Sequence, residues 1–401
     1  MRIAVWHNLP SGGGKRALND HLRGLTERGH TVEIWSPPHP DPSFLPFEAF
    51  GRCHTVPLDL GIPASTRWSH WRQSFTGADR LAKAHADHAK RVAEEIGNRF
   101  DLVFANTDLH FHAPFLGRFA HVPSVLYLQE TNRPLYQALP ELPWLAPKSK
   151  LGLKERLVDA ATIRRTRRMG REEVENARAF KQILVNSAFS RECLLAAYGV
   201  ESQVCYLGVD TDRFKCLDLP RERWVVGTGA FVPAKRIAFV IEALATLSAS
   251  VRPPLRWIGN MANPEHLQDL VQLAEQGGVQ FEPRVGVTDA ELVETLSRAA
   301  LMVYAPRLEP FGYAPIEANA CGTPVVAVAE GGVRETVVDQ VNGRLAPSDP
   351  ERFGAAVAEL LNDDPMRRAM GEEGQRMARS LWSLEASIDR LEAHLLKTAN
   401  L

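Results

Sequence analysis

Hydrophobic and polar positions alternate along this chain between two kinds of pattern. Short apolar runs at residues 2–7 and 31–36 are typical of buried strands. Between them, Leu18, Leu22 and Leu25 recur at the spacing of one face of a helix. A strand, a helix and a second strand in this order predict the opening of a doubly wound α/β domain.

The same alternation restarts in the second half of the chain. Apolar runs predict further strands at 224–228, 255–258, 279–282, 301–304 and 324–328. Apolar residues also recur at helical spacing, first between residues 237 and 247 and finally between residues 384 and 395. The pattern therefore predicts a second α/β domain and a C-terminal amphipathic helix.

One segment of the first half lacks this order. Residues 37–76 are rich in Pro, His and Trp without periodicity, which predicts loops and insertions.

Further on, Asp108, His110 and His112 follow a strand predicted at 101–106, at the end where open α/β sheets bind ligands. The His-x-His spacing occurs in metal sites, but no third ligand stands nearby in the sequence. We therefore predict unpaired loop histidines here and no metal ion.

Size and charge narrow the class of protein. A chain of 401 residues is long for one core, so two domains are expected. The formal net charge of -1 gives no global field that would recruit nucleic acid. Five scattered cysteines without metal-type spacing favour free thiols in a reducing compartment. With no signal-peptide pattern and no long apolar run, the sequence predicts a cytoplasmic protein and leaves peripheral membrane association open.

One stretch, residues 307–323, combines two glutamates with a helix start. Glu309 and Glu317 flank the beginning of a helix predicted at 314–320, which ends at Gly322. A helix N-terminus attracts anions through its N–H groups and its dipole, and a carboxylate accepts hydrogen bonds from adjacent sugar hydroxyls. The stretch therefore fits a phosphorylated sugar or a nucleotide. Two ordinary surface glutamates at a strand–helix junction fit the spacing equally well.

The segment 309–336, EPFGYAPIEANACGTPVVAVAEGGVRET, closely resembles the donor site of the family 4 retaining glycosyltransferases. The similarity extends over nearly the whole chain. These enzymes have the GT-B fold, in which two Rossmann-like doubly wound α/β domains face each other across a cleft, and they carry a Glu-x(7)-Glu motif. The resemblance implies an N-terminal acceptor-binding domain at 1–213 and a C-terminal donor-binding domain at 214–383. It also implies that a terminal helix at 384–401 crosses back to the first domain.

By this resemblance the protein is expected to be a retaining hexosyltransferase of glycan biosynthesis that uses a UDP- or GDP-sugar and needs neither a metal nor a cofactor. The acceptor is expected to be a glycan, a lipid-linked molecule or a small molecule. A non-catalytic nucleotide-sugar-binding subunit and a GT-B sugar-nucleotide epimerase stay open as alternatives. The basic stretch at 145–171 is interpreted as a solvated helix face, with contact to an anionic or lipid-linked acceptor as the alternative.

The resemblance also assigns roles to single residues. Glu309 is expected to contact the donor sugar and Lys235 the diphosphate, both as catalytic residues, and Glu317 is expected to contact the ribose. The expected donor-binding residues are Lys235, Arg236, Arg284, Val285, Glu309, Phe311, Gly312, Tyr313, Ala314 and Glu317. The residues expected to face the cleft and the acceptor are Gly12, Gly13, Gly14, Lys15, Glu130 and Arg133, the first four of them in a glycine-rich loop.

The chain departs from the family pattern at three positions. Ala230 stands where the family usually carries an arginine, and Arg236 stands where many relatives have glycine. Arg236 is therefore a candidate for the missing phosphate-binding charge. Many relatives have a histidine near the position of Gln129, which makes Glu130 and Arg133 candidates for acceptor binding. These two residues could also simply pair with each other.

Overall fold

Each half of the chain forms a unit built around its own parallel sheet. The structure is a computed structural model that describes residues 1–38, 44–60, 67–136 and 152–400. Unit 1 comprises Met1–Tyr206 together with Ile388–Leu401, and unit 2 comprises Leu207–Ser387. The sequence predicted the divisions at residues 213 and 383, a few residues from the divisions observed.

Unit 1 contains a seven-stranded sheet in the order β3-β2-β1-β4-β5-β6-β7, and its paired strands are all parallel. The strands are β1 (Arg2–Asn8), β2 (Thr31–Ser36), β3 (Gly51–Thr55), β4 (Leu102–Asp108), β5 (Ser124–Leu128), β6 (Gln182–Val185) and β7 (Gln203–Val204). The helices are α1 (Gly13–Glu27), α2 (Arg67–Ile96), α3 (Arg133–Tyr136), α4 (Leu153–Arg178) and α5 (Ala188–Tyr198), with a 3₁₀ turn at Phe115–Arg118.

Unit 2 contains a six-stranded parallel sheet in the order β10-β9-β8-β11-β12-β13. The strands are β8 (Glu222–Thr228), β9 (Leu255–Gly259), β10 (Phe281–Val285), β11 (Ala299–Tyr304), β12 (Val325–Val328) and β13 (Gly343–Ala346). The helices are α6 (Ile237–Ala245), α7 (Pro264–Gly277), α8 (Asp289–Arg298), α9 (Tyr313–Ala320), α10 (Val333–Thr336), α11 (Pro350–Asn362) and α12 (Asp364–Ser380), and Pro233–Lys235 form a 3₁₀ turn. The last helix, α13 (Leu384–Ala399), begins in unit 2 and belongs to unit 1 from Ile388 onwards.

The central strands of both sheets are buried along their whole length. All seven residues of β4 and all six residues of β11 are buried. Parallel sheets place helices over both faces, so most side chains of a central strand are apolar. Continuous apolar runs in the sequence therefore predicted these strands correctly, and the α/β fold class is confirmed.

Both sheets change their direction of growth beside their first strand. In unit 1, β1 lies between β2 and β4, and in unit 2, β8 lies between β9 and β11. The connections on the two sides of such a strand leave the sheet in opposite directions, which opens a crevice at the carboxyl ends of the strands. In unit 1 this switch point lies between β1 and β4, and in unit 2 it lies between β8 and β11.

The C-terminal helix packs in unit 1, as the resemblance implied. Ile388 fills the space over Gly24 of α1, where a Cβ atom would collide with it. Glu392 accepts from Arg28 at 2.7 Å and lies 2.6 Å from His30 Nε2. A glycine in mid-helix is therefore explained by close packing against α13.

Two predictions for the first half are wrong. Residues 37–76 were predicted as loops, yet they contain β3 and the start of α2 at Arg67. β3 is a mostly exposed edge strand of polar sequence, so it lacks the apolar run that marks a central strand. Helix α1 begins at Gly13, so Gly13, Gly14 and Lys15 form its first turn rather than a loop. Glycine is unfavourable in the interior of a helix, but it is tolerated in the first turn.

Two further features concern the cysteines and the length and apolar character of the helices. All five cysteines, which lie within the described residues, are free thiols. None of the helices in the described ranges has both the length and the apolar character that crossing a bilayer requires.

Candidate functional site

Two loops of unit 2 bring an ammonium group and a carboxylate together at the switch point. Lys235 ends the 3₁₀ turn after β8, and Glu309 follows β11. Lys235 Nζ lies 3.3 Å from both carboxylate oxygens of Glu309, with 27% and 22% of the two side chains exposed. The sequence predicted both as site residues, but only the adjacency of β8 and β11 places them side by side.

The position of Lys235 depends on Gly229, the residue directly after β8. Gly229 has a φ of +140°, and a Cβ atom there would lie 3.2 Å from Lys235 Cγ. The aliphatic stem of Lys235 therefore lies against the bare Cα of Gly229. Trp257 holds this turn from the neighbouring strand, because its indole N–H donates to Gly229 O at 2.9 Å.

The backbone around Glu309 is supported by a pair of glycines after β12. A Cβ on Gly331 would lie 2.5 Å from Glu309 O, and a Cβ on Gly332 would collide with Pro310 O. Gly332 N–H donates to Glu309 O at 2.8 Å. Helix α10 begins directly after these glycines, at Val333. Their close packing against the Glu309 backbone was not predicted.

Tyr304, the last residue of β11, is a site residue that sequence analysis missed. It is buried, with 4% of its surface exposed. Burial raises the pKa of Tyr304 well above its usual range, and the charges of Glu309 and Glu317 and a hydrogen bond to Glu309 raise this pKa further. The phenol therefore keeps its proton at neutral pH and lies close to both glutamates. In the sequence this residue is only the end of an apolar run.

Helix α9 begins beside Glu309 and carries Glu317 in its second turn. Gly312, its N-cap, has a φ of +96° and no side chain that could cap the first turn. Glu317 is 5% exposed. The positive end of a helix dipole therefore lies at this loop. We call Lys235, Tyr304, Glu309, Gly312 and Glu317 the Glu309 site.

Arg221 holds the opposite end of α9. Its guanidinium donates to Cys321 O at 3.0 Å and to Gly322 O at 2.6 Å, and it also donates to Thr323 Oγ1 at 2.6 Å. Cys321 is the C-cap of α9 and Gly322 follows it, so these bonds fix the chain where the helix ends. Arg221 therefore positions the helix that carries Glu317, although it is remote from the motif in the sequence.

Replacing Arg221 by methionine is expected to destabilise unit 2 by about 2–4 kcal/mol, because it removes charged hydrogen bonds from shielded carbonyls. Urea unfolding monitored by tryptophan fluorescence measures the change. Arg223→Met is the matched control, since Arg223 is exposed and contacts Leu361 O and Asn362 Oδ1. Equal unfolding midpoints for the two variants would contradict the role given to Arg221.

Arg236 shows why glycine suits its position. Its φ is +52°, in the left-handed region that glycine adopts without strain. The guanidinium lies 4.3 Å from the ring centroid of Phe239 and donates to Ser348 Oγ at 2.8 Å. The side chain is therefore engaged within unit 2, and a contact with a phosphate stays a prediction.

Arg284 and Val285 end β10, the edge strand of the sheet. Both are exposed, and Val285 shows 49% of its surface. They lie at the same carboxyl edge as the Glu309 site, two strands away from β8. Contact with the donor stays a prediction for both.

In unit 1 the first turn of α1 contacts the loop after β5. Gln129 Nε2 donates to Gly14 O at 3.1 Å, and a Cβ on Gly14 would lie 2.8 Å from Gln129 Oε1. Lys15 is buried, with Nζ 5.4 Å and 6.0 Å from the ring centroids of Phe47 and Phe44. The structure thus brings two of the predicted acceptor-side segments together.

A buried carboxylate fixes the loops after β4 and β5. Glu173 accepts from His112 N–H at 2.9 Å, from Asn132 Nδ2 at 3.3 Å and from Tyr198 Oη at 2.7 Å. Burial raises the pKa of Glu173, while these donors lower it. Sequence analysis missed this residue because it lies within a highly charged helix and looks like a surface position.

Glu130 and Arg133 lie in the loop that Glu173 helps to hold. Both are half-buried, and Arg133 begins the short helix α3. Glu130 O lies 3.0 Å from His112 Nδ1, which ties the loop after β5 to the loop after β4. Their proposed contact with an acceptor stays a prediction.

The prediction of unpaired loop histidines is wrong. His110 Nδ1 lies 3.2 Å from His85 Nε2, and His112 contacts Glu130 as described. The premise that no third metal-type ligand lies nearby also fails, because His85, Asp108 and His110 each offer one ligand atom within 4.8 Å of the others. His85 belongs to α2, so spacing along the chain could not reveal it.

Helix α4 carries the described part of the basic stretch; Lys148 and Lys150 lie outside the described residues. Arg164 and Arg168 are exposed and lie 3.3 Å from the carboxylate of Asp79. This arrangement fits a solvated helix face whose charge is partly neutralised.

Solved structures define the class of the fold. The Anabaena protein Alr3699/HepE in complex with UDP and glucose matches with a TM-score of 0.72 at 19% identity, over 98% of this chain and 99% of that chain. Sucrose-phosphate synthase from Thermosynechococcus elongatus matches with a TM-score of 0.73 at 19% identity, over 99% and 98%. The two parallel-sheet units therefore have the GT-B fold.

Sequence comparison identifies the family. Residues 11–213 match the family described as Glycosyltransferase Family 4, and residues 209–377 match Glycosyl transferases group 1. Alpha-1,3/1,6-mannosyltransferase ALG2 of Rhizomucor pusillus is 32% identical over 99% of this chain and 92% of its own length. D-inositol 3-phosphate glycosyltransferase of Segniliparus rotundus is 34% identical over 43% of this chain and 40% of its own length. The chain belongs to glycosyltransferase family 4.

Proposed function

We propose that this glycosyltransferase moves a hexosyl group from a UDP- or GDP-sugar to an acceptor hydroxyl with retention of the anomeric configuration. The observation that carries the proposal is the Lys235–Glu309 pair at the switch point of unit 2, beside the start of α9. The fold shared with a protein in complex with UDP and glucose supports a nucleotide sugar. A relative named as a mannosyltransferase supports a hexose.

In the proposed reaction, the bond between the anomeric carbon and the diphosphate oxygen breaks, and the acceptor oxygen forms a bond on the same face. The acceptor proton passes to the leaving diphosphate. Charge therefore develops in two places, negative on the phosphate and positive on the sugar ring. Lys235 and the dipole at Gly312 stabilise the first, and the carboxylate of Glu309 lies where it can stabilise the second.

The remaining donor contacts extend from this pair. Glu317 accepts hydrogen bonds from the ribose, and Phe311, Tyr313 and Ala314 contribute backbone groups to the sugar and the diphosphate. The other donor contacts that we propose are Arg236, Arg284 and Val285. Unit 2 thus binds the donor, and unit 1 binds the acceptor.

On the acceptor side, we propose a hydroxyl of a glycan, a lipid-linked molecule or a small molecule. The proposed contacts are Gly12, Gly13, Gly14, Lys15, Glu130 and Arg133. On the described face of α4, Arg164 and Arg168 contact Asp79, so part of the positive charge of this face is neutralised.

A panel of UDP-, GDP- and ADP-sugars is expected to separate the donors by thermal stabilisation. A ligand at 100 times its dissociation constant stabilises the folded state by about 2.7 kcal/mol, so the true donor raises the melting temperature most. Turnover of that donor is then measured with and without sugar acceptors, and the configuration of the product is read by NMR. Isomerised donor formed without acceptor would instead identify an epimerase, and a panel that gives no stabilisation would contradict donor binding.

Transfer is expected to proceed without a divalent metal at the diphosphate. Lys235 and α9 already supply positive character there, and among the described residues the His/Asp cluster with metal-type ligand atoms lies in unit 1. Initial rates should therefore stay within about twofold when EDTA is added. Loss of activity that Mg²⁺ or Mn²⁺ restores would show that this expectation is wrong.

A further inference from the structure

The switch point of unit 1 holds a cluster that the proposed reaction does not use. Asp108 is the last residue of β4, His110 follows two residues later, and His85 reaches the same place from α2. His85 Nε2 and His110 Nδ1 are 3.2 Å apart, and Asp108 Oδ1 lies 4.0 Å from His110 Nδ1. We call these three residues the His85 cluster.

One oxygen of this cluster is buried without a hydrogen bond. Asp108 is 1% exposed, and its Oδ2 receives no hydrogen bond. Oδ2 does lie 2.9 Å from His85 Nδ1, but without the geometry of a hydrogen bond. Burying an ionised oxygen in this way costs free energy unless a cation or a donor compensates for it.

The neighbours of the cluster hold its groups in place. Asn8, at the end of β1, donates from Nδ2 to Asp108 Oδ1 at 2.8 Å, and His110 N–H donates to the same oxygen at 3.1 Å. Both bonds engage Oδ1, so Oδ2 is left for another partner. Phe111 and Phe115 lie against His85, with ring centroids 5.2 Å and 6.3 Å away, and keep this side of the cluster apolar.

His88 lies near the cluster, but both of its ring nitrogens are already engaged. His88 Nε2 accepts from Trp6 Nε1 at 3.2 Å, and Nδ1 lies 3.3 Å from Pro57 O. An indole N–H can only donate and a carbonyl can only accept, so the tautomer of His88 is settled and no nitrogen remains for a ligand. His85 and His110 face each other and the carboxylate instead.

We propose that His85, Asp108 and His110 bind a divalent transition-metal cation of the zinc class. Two imidazole nitrogens with one carboxylate oxygen form a mixed ligand set that suits Zn²⁺ and its neighbours, whereas Mg²⁺ and Ca²⁺ prefer oxygen ligands throughout. In a tetrahedral zinc site, ligand atoms lie about 3.4 Å apart for bonds of about 2.1 Å. The 3.2 Å between His85 Nε2 and His110 Nδ1 is close to this spacing, whereas the 4.0 Å between Asp108 Oδ1 and His110 Nδ1 is longer and has to shorten when a metal binds.

The exposure of His110 agrees with this site. The side chain of His110 is 30% exposed, so a cation can enter from that side and water can complete its coordination.

The test is a titration of the metal-stripped full-length chain with Zn²⁺ in a calorimeter. We expect one equivalent to bind, with Mg²⁺ giving no comparable heat, and we expect Zn²⁺ to raise the melting temperature. His110→Gln should lower the Zn²⁺ affinity by at least about tenfold, since even indirect partners of a metal site have effects of this size. The matched control is His121→Gln, because His121 is an exposed histidine of the same unit, and this variant should bind as the wild type does.

Co²⁺ provides an independent measurement of the ligand type. Its absorption spectrum should show histidine and oxygen ligation without a thiolate charge-transfer band, although Cys53 and Cys216 are exposed. Absence of saturable Zn²⁺ binding would overturn the proposal and leave a histidine–aspartate contact alone. Unchanged affinity in a folded His110→Gln variant would overturn it as well, and so would a thiolate band that disappears in a Cys53→Ser or Cys216→Ser variant.

Discussion

A Glu309→Gln enzyme is expected to turn over its donor about 10²–10³-fold more slowly than the wild type, with little change in donor affinity. Glutamine keeps the size of the side chain but removes the negative charge that faces the reacting sugar. That charge matters most when positive charge develops on the ring, so its loss acts on kcat more than on KM. Steady-state kinetics together with calorimetric binding of the nucleoside diphosphate measure both parts.

The control for this experiment is Glu359→Gln. Glu359 lies on α11 and pairs with Arg344 of β13, so the variant removes a carboxylate from another ion pair of the same unit. It should keep the kinetics of the wild type. A Glu309→Gln enzyme with wild-type kcat would remove Glu309 from the reaction, and a change confined to KM would make it a binding residue.

Glu317→Ala is expected to weaken donor binding roughly ten- to hundredfold, because the ribose loses a charged hydrogen-bond acceptor that contributes about 1.5–3 kcal/mol. Its effect on kcat at saturating donor should be small, since the ribose takes no part in bond breaking. Calorimetric titration with the nucleoside diphosphate measures the change directly. This separates the role of Glu317 from that of Glu309, although Tyr304 lies close to both carboxylates.

Glu317 is buried, so truncation to alanine also leaves a cavity that can weaken the fold. Glu317→Gln fills the same space, and its unfolding midpoint shows whether unit 2 stays intact. Nucleotides that lack the 2′- or the 3′-hydroxyl provide the second control. The wild type should discriminate against at least one of them, and Glu317→Gln should discriminate less. A wild type that binds the parent nucleotide and both of these deoxynucleotides equally would place Glu317 away from the ribose.

The sequence by itself determined the local architecture of the donor loop. Glu309, Gly312 and Glu317 are close in the chain, so the helix period and the glycine before α9 determine their arrangement without reference to other segments. The apolar runs likewise predicted the central strands, because a strand covered on both faces is mostly apolar. Short-range hydrogen bonding and periodicity carry this information.

Only the tertiary structure decided which loops meet. Lys235 contacts Glu309 because β8 and β11 are neighbours, and His85 meets Asp108 because α2 crosses the end of β4. In parallel sheets the order of strands depends on crossover connections, which the hydrophobic pattern of a single strand does not encode. The edge strand β3 was missed for a related reason, since a strand that packs on one side carries no continuous apolar run. Contacts between residues that are far apart in the sequence follow from the packing of the whole unit. Such contacts assemble both the Glu309 site and the His85 cluster.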